Sequence, residues 1–229
     1  MVQASLNRIR ILLIVAMLPA AISTGAKAQW AADELCEMGA DKRQVRLGAS
    51  ATEQEIKHLS GTGQLAQYRA VHFATHGAVA GQMRGNAEPG LLLTPPAKPS
   101  EEDDGYLTAS EIAALKLDAD WVILSACNTA AGDAEGAEAL SGLARVFFYA
   151  GARALLVSHW EVDSAATVKL ITSAIGTLAK DKSLGRGEAL RRAMLSVMAD
   201  TSRPENWVPA SHPSVWAPFV VAGEGAGGR

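Results

Sequence analysis

Short apolar runs that alternate with segments of helical spacing constrain the fold of this 229-residue chain most strongly. Residues 121–126 form such a run, which is typical of a strand that is covered on both faces of a sheet. Residues 68–74 and 153–158 are two further strand-like runs. Apolar side chains recur at helical spacing over residues 138–150, 165–179 and 188–199. The alternation predicts an α/β fold, with a mainly parallel sheet and helices on both of its faces.

The other segments complete the predicted organisation. Residues 90–94 and 105–108 have the pattern of a hairpin, and the acidic residues 101–104 would lie at its polar tip. Further elements are predicted at residues 33–59 (helical spacing), 110–117 (a short helix) and 217–221 (the last strand). Residues 29–223 then form one domain, and the Gly-rich residues 224–229 form a flexible tail.

The charge and the motif content of the chain exclude several classes of function. The formal net charge is −3, aromatic residues make up 5% of the chain, and no basic stripe is present. Nucleic acid is therefore not an expected partner, because binding it requires clustered Lys and Arg. The chain has no C-x-x-C, H-E-x-x-H or P-loop pattern, so we predict neither a metal nor another cofactor. Its two cysteines, Cys36 and Cys127, are too few for a disulfide framework.

Residues 1–28 have the three regions of a secretory signal. Arg8 and Arg10 precede an apolar stretch, and Ala26 and Ala28 are small residues two positions apart. The apolar stretch is too short for a comfortable membrane span, so a cleaved chain would be exported to the periplasm or secreted rather than remain in the membrane. The alternative is a cytoplasmic protein in which the stretch is a buried strand of the sheet, or the remnant of a fold truncated at its first strand.

Two candidate catalytic residues follow strands of the predicted sheet. His76 comes after the strand at residues 68–74, and Cys127 comes 51 residues later, after the strand at residues 121–126. Functional groups collect beyond the carboxyl ends of parallel strands, and this order and separation are close to those of histidine and cysteine in caspases. An imidazole can accept the proton of a thiol and later protonate a leaving amine. The backbone N–H groups of Gly77 and Cys127 are candidates for holding the oxyanion.

Two neighbouring polar residues have simpler interpretations. His72 lies within its strand, so we interpret it as a core or sheet-face residue. Ser125 follows the apolar part of the second strand, but no G-x-S-x-G elbow surrounds it, which argues against a serine hydrolase.

Four ordered motifs resemble those of the CHAT domain family. Residues 71–77, VHFATHG, are similar to its histidine motif, and residues 124–129, LSACNT, are similar to its cysteine motif. Residues 136–152 and 157–167 match two further stretches of the family. The resemblance extends over residues 45–221, which is most of the chain.

The resemblance implies a caspase/separase-type fold and a cysteine peptidase that acts on polypeptides through His76 and Cys127. It also implies that Asp163, and second Glu161, help to form the pocket for the side chain before the scissile bond. An acidic group there would favour Arg or Lys, although Asp163 could instead cap the following helix. The chain has no TPR array, so a regulatory or TPR-type partner would come from another chain. The alternative function is a catalytically silent or truncated caspase-fold module that binds other proteins.

Overall fold

The structure is a computed structural model. It describes residues 10–15, 45–78, 80–81, 87–125, 142–160, 164–181, 183–201 and 208–226. The strands are β1 (Ile11–Val15), β2 (Val45–Leu47), β3 (Ala70–Phe73), β4 (His76–Ala78), β5 (Gly90–Leu92), β6 (Tyr106–Thr108), β7 (Trp121–Leu124), β8 (Ala154–Ser158) and β9 (Phe219–Gly223). The helices are α1 (Glu53–Gly61), α2 (Ala109–Ala113), α3 (Gly142–Tyr149), α4 (Ser164–Lys180), α5 (Arg186–Met198) and α6 (Pro213–Trp216).

The main sheet has the strand order β2-β1-β3-β7-β8-β9. Its strands run parallel from β2 across to β8, and β9 lies antiparallel to β8 at the far edge. The mainly parallel sheet predicted from the apolar runs is therefore confirmed.

Helices cover both faces of the main sheet, as predicted. On one face, Val71 and Leu124 pack with Phe147 of α3 in a buried cluster that also includes side chains of α1 and α2. On the other face, Ile123 packs with Leu170 of α4 and with side chains of α5 and α6. Successive strand residues point to opposite faces, which is why Ile123 and Leu124 enter different clusters. Complete burial of a side chain such as Phe147 contributes about 1.5–3 kcal/mol relative to exposure.

The N-terminal apolar stretch provides strand β1, which lies between β2 and β3. Leu12, Leu13 and Ile14 are almost completely buried, with Leu12 and Leu13 in the clusters on opposite faces. This placement matches the interpretation of the stretch as a buried strand, and a cleavage after Ala28 would remove that strand from the sheet. Residues 16–44 lie outside the described residues, and export of the chain stays a prediction.

The helix predicted over residues 33–59 is wrong at Val45–Leu47, which forms strand β2 beside β1. The helix begins only at Glu53, where the Thr52 side chain caps it by accepting a hydrogen bond from the backbone N–H of Glu55. A three-residue strand is too short to show an alternating pattern, and its partner strand lies far upstream in the sequence. Its existence depends on that distant pairing and not on local spacing.

A small antiparallel sheet has the strand order β4-β5-β6. The pairing of β5 with β6 confirms the predicted hairpin, whereas β4 is an addition that the sequence did not indicate. The turn into β6 requires glycine at position 105, because Gly105 has a φ of 85° and a Cβ there would lie 2.7 Å from the Cα of Pro95. The small sheet leads the residues of the histidine motif out of the main sheet.

The C-terminal strand extends to the start of the predicted tail. The backbone N–H of Glu224 donates a hydrogen bond to the carbonyl of Arg153, and the carbonyl of Glu224 accepts one from the Arg186 guanidinium. Residues 227–229 lie outside the described residues. In the described part of the chain, no helix combines the length and the apolar character needed to span a membrane.

Candidate active site

His76 is the first residue of strand β4, three positions after the end of β3. His76 is exposed, and the following residue, Gly77, is half-buried. The hydroxyl of Thr75, just before it, donates a hydrogen bond to the backbone carbonyl of Leu92 in β5. The histidine therefore lies at the junction of the two sheets, on a backbone fixed by its pairing with β5 and with its ring open to solvent.

The strand that leads to Cys127 is the immediate neighbour of the strand that leads to His76. Phe73 of β3 pairs with Leu124 of β7, and the backbone N–H of Ser125 extends the ladder by donating to the carbonyl of Phe73 at 3.2 Å. Cys127 is the third residue after Leu124, just as His76 is the third residue after Phe73. The two adjacent strands therefore end at the same level of the sheet, and each predicted catalytic residue follows its strand end by three positions in the sequence.

Three predicted site residues, Cys127, Asp163 and Glu161, lie outside the described residues. The strands that lead to them are described. Strand β8 lies beside β7, with Val157 opposite Leu124, and after β8 the chain continues through Trp160, whose side chain is 40% exposed. The contacts of the predicted nucleophile and of the two pocket candidates stay predictions.

A buried imidazole lies beside these strand ends. His72 is 4% exposed, and its Nε2 atom is 2.8 Å from the Oγ atom of Ser125. Burial lowers the pKa of His72 to about 3, so the ring is neutral at physiological pH. The Nδ1 atom has no hydrogen-bond partner among the described residues. The interpretation of His72 as a core residue is confirmed, with the addition of a polar partner that its strand position did not reveal.

The distance between Ser125 Oγ and His72 Nε2 would suit a nucleophile and its general base, but the environment of the imidazole does not suit a base. A ring whose pKa is about 3 is a weak base at neutral pH, and within the described residues no group orients it from Nδ1. The structure therefore gives no support to a serine hydrolase, in agreement with the absence of an elbow motif.

A second polar cluster anchors the hairpin of the small sheet. The buried carboxylate of Glu53 accepts hydrogen bonds from the backbone N–H groups of Asp104 and Gly105, each at 3.0 Å. The Nζ atom of Lys57 lies 2.5 Å from the Glu53 carboxylate and 2.7 Å from the Glu111 carboxylate. Helix α1, helix α2 and the turn before β6 are thereby joined through one ammonium group.

The ionisation of this cluster follows from burial and from the shared lysine. Burial is the largest influence on the pKa of Glu53 and raises it, with a further rise from the charge of Glu111, against the hydrogen bond from Lys57. Burial also acts to raise the pKa of Glu111, but hydrogen bonds from Lys57 and Thr108 outweigh it and hold that pKa below its usual value. The two carboxylates around one ammonium group are therefore unequal, and Glu53 is the one more easily protonated.

Neither polar cluster was predicted, because each joins residues that lie far apart in the sequence. His72 lies within an apolar strand, Ser125 comes directly after one, and Glu53 begins a helix four residues before a lysine. Among the described residues, no group of three or more His, Cys, Asp or Glu side chains could hold a metal ion.

The sheet order and the helices on both faces define an α/β protein with a caspase-like fold. A secreted C11 cysteine protease from Bacteroides thetaiotaomicron, solved in complex with an irreversible peptide inhibitor, is similar to this chain with a TM-score of 0.50 and 12% sequence identity. The similarity covers 94% of this chain and 66% of that protein, so this chain spans just under two thirds of its length. At this level of identity the similarity shows the fold alone.

The family follows from the sequence. The family model described as the CHAT domain matches residues 13–224, which is nearly the whole chain. The chain therefore belongs to the CHAT domain family, and the resemblance seen in its motifs is confirmed. No curated protein matches the sequence.

Proposed function

We propose that this CHAT domain protein is a cysteine endopeptidase in which His76 and Cys127 form the catalytic dyad. The observation that carries the proposal is the pairing of β3 with β7, in register up to Phe73 and Leu124, with one predicted catalytic residue three positions beyond each strand end. Membership of the family and a caspase-like fold support the same chemistry.

The proposed reaction uses the imidazole of His76 as the proton carrier. The imidazole accepts the thiol proton of Cys127, and the thiolate sulfur attacks the carbonyl carbon of the peptide bond, whose π electrons move to the oxygen. When the tetrahedral intermediate collapses, the C–N bond breaks and the imidazolium protonates the leaving amine. Water then loses a proton to the imidazole as its oxygen attacks the thioester, and the C–S bond breaks to release the acid.

The negative charge on the carbonyl oxygen needs hydrogen-bond donors in the transition state. We assign this role to the backbone N–H groups of Gly77 and Cys127. In support, Gly77 directly follows the exposed His76 and has no side chain to keep a substrate carbonyl away. Strand β4 also lies at the edge of the small sheet, so part of its backbone is not used by β5.

Asp163 and Glu161 remain the candidates for the pocket that receives the side chain before the scissile bond. The support is topological, because β8 lies beside β7 and both residues follow the end of β8. A carboxylate at that place would favour Arg or Lys through charge-assisted hydrogen bonds. A regulatory or TPR-type partner on another chain stays a prediction.

Alkylation of the two thiols tests the proposal. Iodoacetamide should label Cys127 faster than Cys36, because the proposed imidazole partner of Cys127 would enrich its thiolate at neutral pH. His76→Ala should slow the labelling of Cys127 by about tenfold or more. Mass spectrometry of the labelled peptides measures both rates in one sample.

The matched control is His58→Ala, which removes another exposed imidazole, on helix α1. It should leave both rates unchanged. Slow and equal labelling of Cys36 and Cys127 in the unchanged protein would refute the peptidase and favour a non-catalytic protein-interaction module. If Cys127 is activated, a peptide library read with and without Asp163→Asn then tests the preference for Arg or Lys.

A further inference from the structure

The hydrogen bond between His72 and Ser125 lies where strands β3 and β7, which precede His76 and Cys127, separate. Strands β3 and β7 pair in parallel as far as Phe73 and Leu124, and beyond this point β3 leads into the small sheet. Two interactions join the two strands at the point of separation. One is the backbone hydrogen bond from Ser125 to Phe73, and the other is the side-chain contact of 2.8 Å between His72 and Ser125.

Packing alone does not account for this polar pair. His72 pairs in register with Leu13 on one side and with Ile123 on the other, and both of these neighbours are apolar and buried. A leucine or isoleucine would fill such a site without the cost of removing an imidazole from water. A hydrogen bond differs from apolar contact because it is directional and specifies one arrangement of its two partners.

We propose that His72 is a positioning residue, which through Ser125 fixes the end of β7 against the end of β3 and so supports the proton transfer between Cys127 and His76 that the proposed function requires. This inference rests on the proposed function and adds two residues to it that do not touch the substrate. The side-chain bond lies on one face of the sheet, and the backbone bond lies in its plane. Together they prevent the end of β7 from rotating about the strand axis, which one backbone hydrogen bond would allow.

The test measures the reactivity of Cys127 in variants that remove the bond. Ser125→Ala keeps the backbone hydrogen bond and removes only the hydroxyl, and His72→Leu removes the imidazole. Each should lower the rate constant for alkylation of Cys127 by about tenfold, since small misplacements of reacting groups are costly. Each should also move the midpoint of the alkylation pH profile toward the ordinary thiol value of about 8.5.

Two further variants separate positioning from general stability. The double variant should lose no more than either single variant, because both changes break the same bond, whereas His72→Gln offers Ser125 a neutral amide and should retain most of the rate. Thr172→Val removes a hydroxyl elsewhere in the fold, which is buried and bonds the carbonyl of Val168 within α4. It should lower the melting temperature without changing the pH profile of Cys127.

The results that would overturn the inference are distinct from those that would overturn the peptidase. If Cys127 is fast in the unchanged protein and Ser125→Ala alters neither its rate nor its pH profile, the positioning role is wrong and the peptidase stands. Additive losses in the double variant would likewise refute a shared bond. If Cys127 is slow in the unchanged protein and insensitive to His76→Ala, both proposals fail together.

Discussion

The main sheet and the small sheet differ in how they accommodate buried polar side chains. In the main sheet, the described residues His72 and Ser125 share a neutral hydrogen bond among apolar neighbours. At the small sheet, Glu53 is equally buried but is charged, and it is matched by Lys57 and by two backbone N–H groups. Losing one neutral hydrogen bond costs little free energy, whereas a buried charge that loses any of its partners costs much more. The hairpin that follows His76 should therefore be the more vulnerable region.

The largest expected effect is the loss of the buried carboxylate. Glu53→Ala should lower the free energy of unfolding by about 3 kcal/mol, because it leaves two backbone N–H groups without an acceptor and Lys57 without its closest partner. Urea denaturation monitored by circular dichroism measures the change. Glu188→Ala is the control, since Glu188 pairs with Arg191 and Arg192 on an exposed helix surface and should matter much less. Equal losses in the two variants would remove the contrast between the regions.

The second effect is a pH dependence that belongs to the main sheet. The folded-state pKa of His72 is lowered from 6.5 to about 3, so between these values the unfolded state binds one more proton than the folded state. Stability should therefore fall as the pH drops below 6.5, by about 2 kcal/mol on reaching a pH of about 5, and reach its plateau above 6.5.

The variant that isolates this pH dependence is His72→Gln, which keeps a neutral hydrogen-bonding group and does not titrate. The difference in unfolding free energy between the two proteins, measured at several pH values, should shrink steadily as the pH falls. Parallel stability curves would show that His72 does not remain neutral on folding, and the description of the main-sheet pair would then be wrong.

The smallest effect is on the neutral pair itself. Ser125→Ala should lower the free energy of unfolding by about 1 kcal/mol, the usual value for one neutral hydrogen bond. The same urea denaturation measures it beside Glu53→Ala. If removing the hydroxyl costs as much as removing the buried carboxylate, the charge of the hairpin cluster is not what makes that region vulnerable.

The sequence predicted those elements whose pattern is local. Strands β3, β7 and β8 are apolar runs, and helices α4 and α5 have apolar side chains at helical spacing, so each could be read without knowledge of its neighbours. Strands β2 and β4 have three residues each and exist only through their partners, so no local signal distinguishes them. The same reason explains the missed clusters, because His72 and Ser125 are 53 positions apart, and Glu53 and Gly105 are 52 apart.

The candidate site divides along a similar line. His76 was predicted to follow the end of a strand, and it lies three positions after the end of β3. This could be predicted because the histidine motif contains both the strand and the histidine. The sequence predicted a parallel sheet that contains β3 and β7, but their adjacency and their register up to Phe73 and Leu124 had to come from the structure. The side chains that support the site are dispersed through the sequence, and single residues of common types do not indicate which distant residue they will meet.

The interior place of β1 has a consequence for how the protein must be produced. A chain shortened to begin at Gln29 would separate β2 from its partner and leave the backbone N–H and C=O groups of β3 without a neighbour along one side. Such an open edge, flanked by apolar residues such as Val71 and Phe73, is a template on which other copies can add strands. Aggregation of the shortened chain would then reflect a missing strand rather than low stability of the uncleaved protein.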